Sequence, residues 1–392
     1  MTTHLLSYPL SWQRTVSASL VLGCLFIWAY NLSLNTELDP NLSLSLLFGI
    51  AFGVILQRSR FCFYCISNDF LRERKIEGVL GIIVALAIGT LGYHTIFGAF
   101  LPEATTGRLP PNAHIGPVSI VLILAAGSFG VGMALAGSCI SALFYRLGEG
   151  YFAGLIPLFG TLLGFILGFY VWNDAYLWTI QSAPIVWLPS QWGYATSLLI
   201  QLSILTVLVI AFQYWGKKPL NSPTLSLKQS IFIQRWPTYV GGILMGMLST
   251  LAFLRLSPLG VTAELGSVAR TIGHDLPYFP ERLEGLDNFR GCMTMIKETL
   301  LSRNGLLVIG LIGGSLSTAI LSGDFKPTRP QLLDIPRLFI GGILMGLGSM
   351  LALGCTIGTL LSGIMAAALS GWVFLIFCTT GLYLGWKIRQ HI

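Results

Sequence analysis

Between Leu338 and Trp386 the chain carries no aspartate, glutamate, lysine or arginine. A bilayer span takes about 20 apolar residues, so this run holds two spans with residues left over. Shorter charge-free runs lie between Arg14 and Glu37, Asp39 and Arg58, Glu77 and Glu103, Arg108 and Arg146, and Gly150 and Asp174. Others follow between Asp174 and Lys217, Arg235 and Arg255, and Arg303 and Asp324. Charged residues make up 10% of the sequence, against about a quarter in soluble chains. So few charges do not cover a water-facing surface, and much of this one must face lipid. The predicted class is all-α: a polytopic integral membrane protein with about nine or ten transmembrane helices. The apolar run from Thr15 to about Leu34 ends in Asn31-Leu-Ser-Leu-Asn35, without a small-x-small cleavage pattern, and reads as a retained first helix.

Internal repeats organise the chain. Gly-Gly-Ile-Leu-Met-Gly occurs at 241–246 and again at 341–346. Aligning the copies sets Arg255 on Cys355, nine residues after the last glycine of each. The same ruler runs from Gly130 to Cys139 and from Gly53 to Cys62. Four glycine-rich apolar segments thus end at a mark occupied by Cys62, Cys139, Arg255 and Cys355. The implied layout is an extra helix in 1–40, a first half over 41–216, a basic connector over 217–236 and a second half over 237–392. Two pseudo-symmetric halves with interrupted helices at matching positions are a transporter signature, although a channel shares the symmetry. The net charge of +7 is mostly the ordinary cytoplasmic excess of Lys and Arg. The connector, with Lys217, Lys218, Lys228 and Arg235, reads as a cytoplasmic loop.

The cysteine marks are expected to break helices. In Gly354-Cys355-Thr-Ile-Gly358 the break leaves a short return helix before the final span, and Gly137-Ser-Cys139 behaves alike. Non-helical backbone at membrane depth is tolerated only inside protein or beside water, so such breaks imply a cavity. Helix N-termini pointing into it would favour an anion. Arg58 and Arg60 belong either at the membrane surface or in a wet cavity, because a charge facing lipid costs at least ~2.5–3.5 kcal/mol. Arg146 and Glu149, three apart, are expected to pair on one helix face, with direct substrate contact as the second reading.

Free cysteine is ordinarily a small buried hydrophobe, and Cys24 and Cys378 read as packing residues of that kind. Cys62, Cys139 and Cys355 sit one per repeat among Gly, Ser, Thr or Arg and are the candidate substrate-binding thiols. Cys65 makes a CxxC pair with Cys62, a pattern that serves redox or metal chemistry. Cys292, in the polar insertion between Arg255 and Arg303, is a candidate substitute for the cysteine missing at 255. That insertion reads mainly as solvated loop. His4, His94, His114, His274 and His391 form no ligand-spaced cluster, and no metal or cofactor is expected. No phosphate-cradling loop, GxSxG or HExxH occurs, so no soluble catalytic motif supports an enzyme.

Gln57-Arg-Ser-Arg-Phe-Cys62-Phe, Ala136-Gly-Ser-Cys139 with Tyr145-Arg-Leu-Gly-Glu-Gly150, and Gly354-Cys355-Thr-Ile-Gly358 resemble the YeeE/YedE sulphur-transport family, its thiosulphate-uptake members above all. The resemblance covers about residues 43–390. It implies a bacterial inner-membrane protein, open on both sides and narrow at an apolar waist, that passes thiosulphate between cysteines on dipping loops. Carried over by motif, those are Cys62, Cys139 and Cys355, and a small sulphurtransferase is a family-level partner. The sequence departs from the pattern in its first helix, in Ser138 and Ile140-Ser141-Ala142 around Cys139, and in the 255–303 insertion. The expected function is import of thiosulphate, with another sulphur or selenium oxyanion as the near alternative. A membrane thiol–disulphide oxidoreductase using Cys62 and Cys65, with Cys139 and Cys355 as relay thiols, is the alternative of another class, and a purely structural subunit a weaker third. Arg146, Glu149, Arg255, Cys65 and Cys292 are secondary site candidates.

Overall fold

The computed structural model describes residues 12–35, 39–216, 234–286 and 301–391. Within them the chain is all-α, and ten helices are long and apolar enough to cross a membrane. In chain order the helices, short ones included, are α1 (Trp12–Leu34), α2 (Asn41–Ser59), α3 (Phe63–Glu73), α4 (Glu77–Phe100), α5 (Ile120–Ala136), α6 (Ile140–Gly148) and α7 (Leu155–Ala175). After α8 (Leu188–Trp215) come α9 (Thr238–Arg255), α10 (Val261–Gly273), α11 (Arg303–Ser322) and α12 (Ile335–Leu351). The chain closes with the short α13 (Thr356–Met365) and α14 (Leu369–His391).

The repeat glycines show what the repeat is for. A methyl group built on Gly53, Gly130, Gly246 or Gly346 would strike the carbonyl oxygen of Leu311, Cys378, Ala85 or Thr161 respectively. Each is therefore a point where two helix backbones touch, the small-residue packing on which membrane helices rely when lipid removes the hydrophobic drive. Reading such contacts along the helices gives their directions. Gly49 meets Leu307 and Gly53 meets Leu311, so α2 and α11 run parallel. Gly81 meets Thr238 and Gly92 meets Thr250, so α4 and α9 do too. The pairs α7/α12 and α5/α14 are likewise parallel. In contrast, Gly341 meets Ala136 while Gly348 meets Ala125, so α5 and α12 are antiparallel. Exchanging α2 with α9, α4 with α11, α5 with α12 and α7 with α14 interchanges the parallel pairs and maps α5/α12 onto itself.

Two consequences follow for the site. The four helix breaks occur as the repeat requires, but α5 and α12 point in opposite directions. The breaks after α2 and α5 therefore lie at one end of the bundle, and those after α9 and α12 at the other.

The 255–303 insertion departs from its reading as solvated loop. Residues 261–286 fold back as α10 and a packed segment: Val261, Leu265, Ala269, Leu283 and Leu286 are buried. Trp172 and Asn173 of α7 donate to the carbonyls of Glu284 (2.9 Å) and Arg282 (3.1 Å). These bonds satisfy backbone that would otherwise be costly at this depth. Cys24 also departs: it is exposed on the outer face of α1 instead of packed, whereas Cys378 is buried. Most of the 217–236 connector lies outside the described residues.

Candidate functional site: two thiol stations at opposite ends of the bundle

α2 ends at Arg60, which takes a left-handed conformation (φ 49°). The chain then turns through Cys62 into α3. The Cys62 Sγ accepts the Cys65 backbone N–H at 3.4 Å, so the thiol caps the N-terminus of α3. α5 ends at Gly137, also left-handed (φ 72°), and Cys139 stands at the start of α6. The two breaks meet. Cys62 Sγ lies 3.9 Å from Cys139 Sγ, and both side chains are buried. Two helix N-termini and two thiols thus converge on one point, which is favourable ground for an anion with a soft end.

Arginines surround this station. At the end of α5, Arg389 Nη1 donates to the Ala134 carbonyl (3.3 Å), Arg337 to that of Leu135 (3.2 Å) and Arg146 to that of Gly137 (3.4 Å). Cations at a helix C-terminus satisfy carbonyls that have no intrahelical partner. Arg389 Nη1 also donates to the Tyr64 hydroxyl at 2.5 Å, inside the Cys62–Cys65 turn.

The expected pairing of Arg146 with Glu149 is not the geometry found. Arg146 lies over the Tyr151 ring at 4.4 Å, while Glu149 accepts from Gln57 Nε2 at 3.4 Å. Gln57 also reaches Asp324 (3.2 Å), which takes Ser322 (3.0 Å) and faces Arg235 at 3.8 Å. The tight turn at Gly150, packed on Lys326 and Pro327, carries Glu149 toward that network and away from Arg146. Arg58 is buried and donates to the Gln234 carbonyl near Trp236, whereas Arg60 is exposed.

Cys355 does not join the other two. α12 ends at Ala352, Leu353 turns left-handed (φ 57°), and Cys355 opens α13 at the far end. The 17 residues of α5 separate the two ends by about 25 Å at 1.5 Å per residue. Residues 356–368 lie buried, and side chains of neighbouring segments bond two of their carbonyls. Trp187 Nε1 donates to Ala366 (2.9 Å) and Gln201 Nε2 to Ile364 (2.9 Å). The His114 ring lies against Gly358, where an added methyl would come within 3.3 Å of it. That ring keeps a partly accessible edge although protein encloses it, and burial pushes its pKa down to about 4.

Arg255 closes α9 as an exposed residue. Cys292 lies outside the described residues. Cys65 serves through its backbone N–H. Reading the sequence missed Arg389, Tyr64, His114 and Trp187. Arg389 carries a detectable signal, a cation closing a long uncharged run; the others have none beyond composition. Among the described residues no group of three His, Cys, Asp or Glu could hold a metal ion.

A bundle of bilayer-spanning helices, broken at matching repeat positions with thiols at the breaks, defines a polytopic membrane transport protein. The chain belongs to the sulphur transport family, whose model matches residues 58–384. It is 28% identical over 350 residues to a protein of Spirochaeta thermophila named thiosulfate transporter TsuA, covering 86% of this chain and 95% of that one. The Escherichia coli K12 protein of the same name is 24% identical over 361 residues, covering 86% and 92%. A probable transporter YedE from the same strain is 29% identical over 151 residues, 38% of this chain and 33% of that one. The protein is a membrane transporter for a small sulphur-containing anion, not an enzyme.

Proposed function

We propose that this protein imports thiosulphate across a bacterial plasma membrane, moving it between Cys355 at the outer station and the Cys62/Cys139 pair at the inner one. The observation that carries this reading is the buried 3.9 Å thiol pair at two converging helix N-termini. A thiol is a weak donor and the terminal sulphur of thiosulphate a soft anionic acceptor. Weak contacts at separate stations give binding that still lets the ion leave. The order outer-to-inner rests on charge. Arg60, Arg72, Arg74, Lys75, Lys326, Arg329 and Arg337 lie at the Cys62 end beside Asp69, Glu73 and Glu77, whereas the Cys355 end carries fewer cations, Arg108, Arg255 and Arg303 among them, beside Glu103, Glu264, Asp275 and Glu281. Lysine and arginine mark the cytoplasmic face.

The division into halves at 41–216 and 237–392 is supported by the exchange pattern of the helix pairs. A small sulphurtransferase at the basic end is the partner this orientation suits. The oxidoreductase alternative is disfavoured by the relatives, which are named as transporters.

The test is accumulation of radiolabelled thiosulphate by cells lacking their own sulphur importers, with unlabelled sulphate, selenite and tetrathionate as competitors. Thiosulphate accumulation above vector control that resists excess selenite supports the reading. Accumulation of a selenium oxyanion in its place overturns it.

A further inference from the structure

The inner station holds two arginines that form no direct ion pair; Glu149, within electrostatic reach of Arg146, is itself bonded to Gln57. Among the described residues Arg337 is paired with Asp334 at 2.5 Å, yet neither Arg146 nor Arg389 lies within ion-pair distance of an acid. Both are half-buried. Each uses Nη1 for a backbone carbonyl, and Arg389 Nη1 also reaches Tyr64. Among the described residues their Nε and Nη2 donors make no hydrogen bond to protein. The two guanidinium groups converge on the same place. Arg146 bonds the Gly137 carbonyl, and a methyl built on Gly137 would sit 3.1 Å from Arg389 Nη1 and 3.6 Å from its Nη2. Gly137 is two residues before Cys139, and Tyr64 two residues after Cys62. Arg146 also lies within electrostatic reach of Cys65.

A half-buried cation without a direct counter-charge is unfavourable unless something else supplies the charge. Capping of α5 accounts for one donor on each arginine and not for the charge. We propose that Arg146 and Arg389 form the oxyanion half of the inner station, holding the sulphonate oxygens of the substrate while Cys62 and Cys139 receive its terminal sulphur. This extends the thiosulphate reading and rests on it. The match is one of charge and of shape: two guanidinium groups for a dianion, and forked planar donors for adjacent oxygens. The thiols then distinguish thiosulphate from sulphate, and the arginines bind either.

The repeat-related position at the other end is different. Gly381 of α14 packs on Gly127 as Gly164 of α7 packs on Ile343, so the two glycines are equivalent under the exchange of halves. Eight residues further on stand Arg389 and Trp172. At the outer end a neutral indole, bonded to the Glu284 carbonyl, replaces the inner cation.

The experiment is thiosulphate uptake into proteoliposomes, with sulphate as competitor, for wild type, Arg389→Gln, Arg389→Lys, Arg146→Gln and Cys139→Ser. Charge-assisted bonds of this kind correspond to about 10–100-fold in affinity. Arg389→Gln and Arg146→Gln are expected to raise the half-saturating thiosulphate concentration by about that factor, and to weaken sulphate competition in parallel. Arg389→Lys, which keeps the charge and loses the fork, should fall between them and wild type. Cys139→Ser should leave sulphate competition intact while erasing the preference for thiosulphate. Glutamine variants with wild-type half-saturation, or with lost sulphur preference and unchanged sulphate competition, overturn the inference alone. Wild-type vesicles that take up no thiosulphate overturn the transport reading and this inference together.

Discussion

Two glycines at one helix crossing are predicted to respond oppositely to the same substitution. Gly381 on α14 faces the backbone of Gly127 on α5, and a methyl on Gly381 would lie 2.9 Å from both the Gly127 carbonyl carbon and Cα, with the oxygen closer still. A methyl on Gly127 would meet nothing within 4 Å. Comfortable carbon contacts begin near 3.5 Å, so Gly381→Ala forces the two helices apart by roughly 0.6 Å or more along their shared face. Overpacking of this kind costs about 1–3 kcal/mol. Alanine returns up to about 1 kcal/mol of helix propensity at either position. Gly127→Ala should therefore be neutral or stabilising by about 0.5–1 kcal/mol, and Gly381→Ala destabilising on balance. The assay is fluorescence-detected size-exclusion thermostability of the detergent-solubilised protein, with Gly98→Ala, another open position, as a second control. Equal losses at 127 and 381, or none at either, would refute the reading of these glycines as contacts that act through one partner's side only.

Other outcomes follow from the same geometry. A two-armed thiol reagent of about 5 Å reach should link Cys62 to Cys139, which lie 3.9 Å apart; peptide mapping that finds Cys62 linked to Cys355 would contradict the two-station layout. Cysteines introduced at Arg329 and at the 97% exposed Tyr278 should react with an impermeant maleimide from opposite sides of the membrane, position 278 from outside. Trp187→Phe removes the donor to the Ala366 carbonyl and should cost about 1–3 kcal/mol, read as a lower apparent melting temperature with no change in membrane insertion. His114 is held neutral, its pKa lowered to about 4 from about 6.5 when unfolded. A depressed histidine pKa leaves its full stability contribution above the unfolded value and loses it as pH falls toward the folded one. His114→Gln should accordingly flatten the acid-side fall in stability between those pH values, and an unchanged slope would remove His114 as its source.

Much of the fold is legible in the sequence because lipid is a severe solvent. Charge-free runs of span length have few ways to fold, and glycines at fixed intervals before Cys62, Cys139 and Cys355 announce both the crossings and the breaks. Direction is less legible. The repeat ruler sets Cys139 on Cys355 but does not say that α5 and α12 are antiparallel, and so it leaves open which thiols share an end of the bundle. Local spacing also misleads at Arg146 and Glu149, because the Gly150 turn and α11 intervene. The 261–286 segment reads as loop since its charges are conspicuous, while the bonds from Trp172 and Asn173 that fix it come from a distant helix. Arg389 escapes notice for a similar reason: it belongs to the last turn of the chain, and only packing of α14 on α5 brings it beside Gly137.

The claim on which the account rests is that substrate passes by way of thiols at both ends. It is tested most directly by uptake of radiolabelled thiosulphate in importer-deficient cells expressing wild type, Cys62→Ser, Cys139→Ser or Cys355→Ser at equal membrane abundance. The prediction is strong uptake by wild type and a sharp fall in all three variants, the loss at Cys355 being as severe as at the inner pair although about 25 Å of helix, the length of α5, lies between them. Normal uptake by all three serine variants would contradict a thiol path, whatever the substrate proves to be.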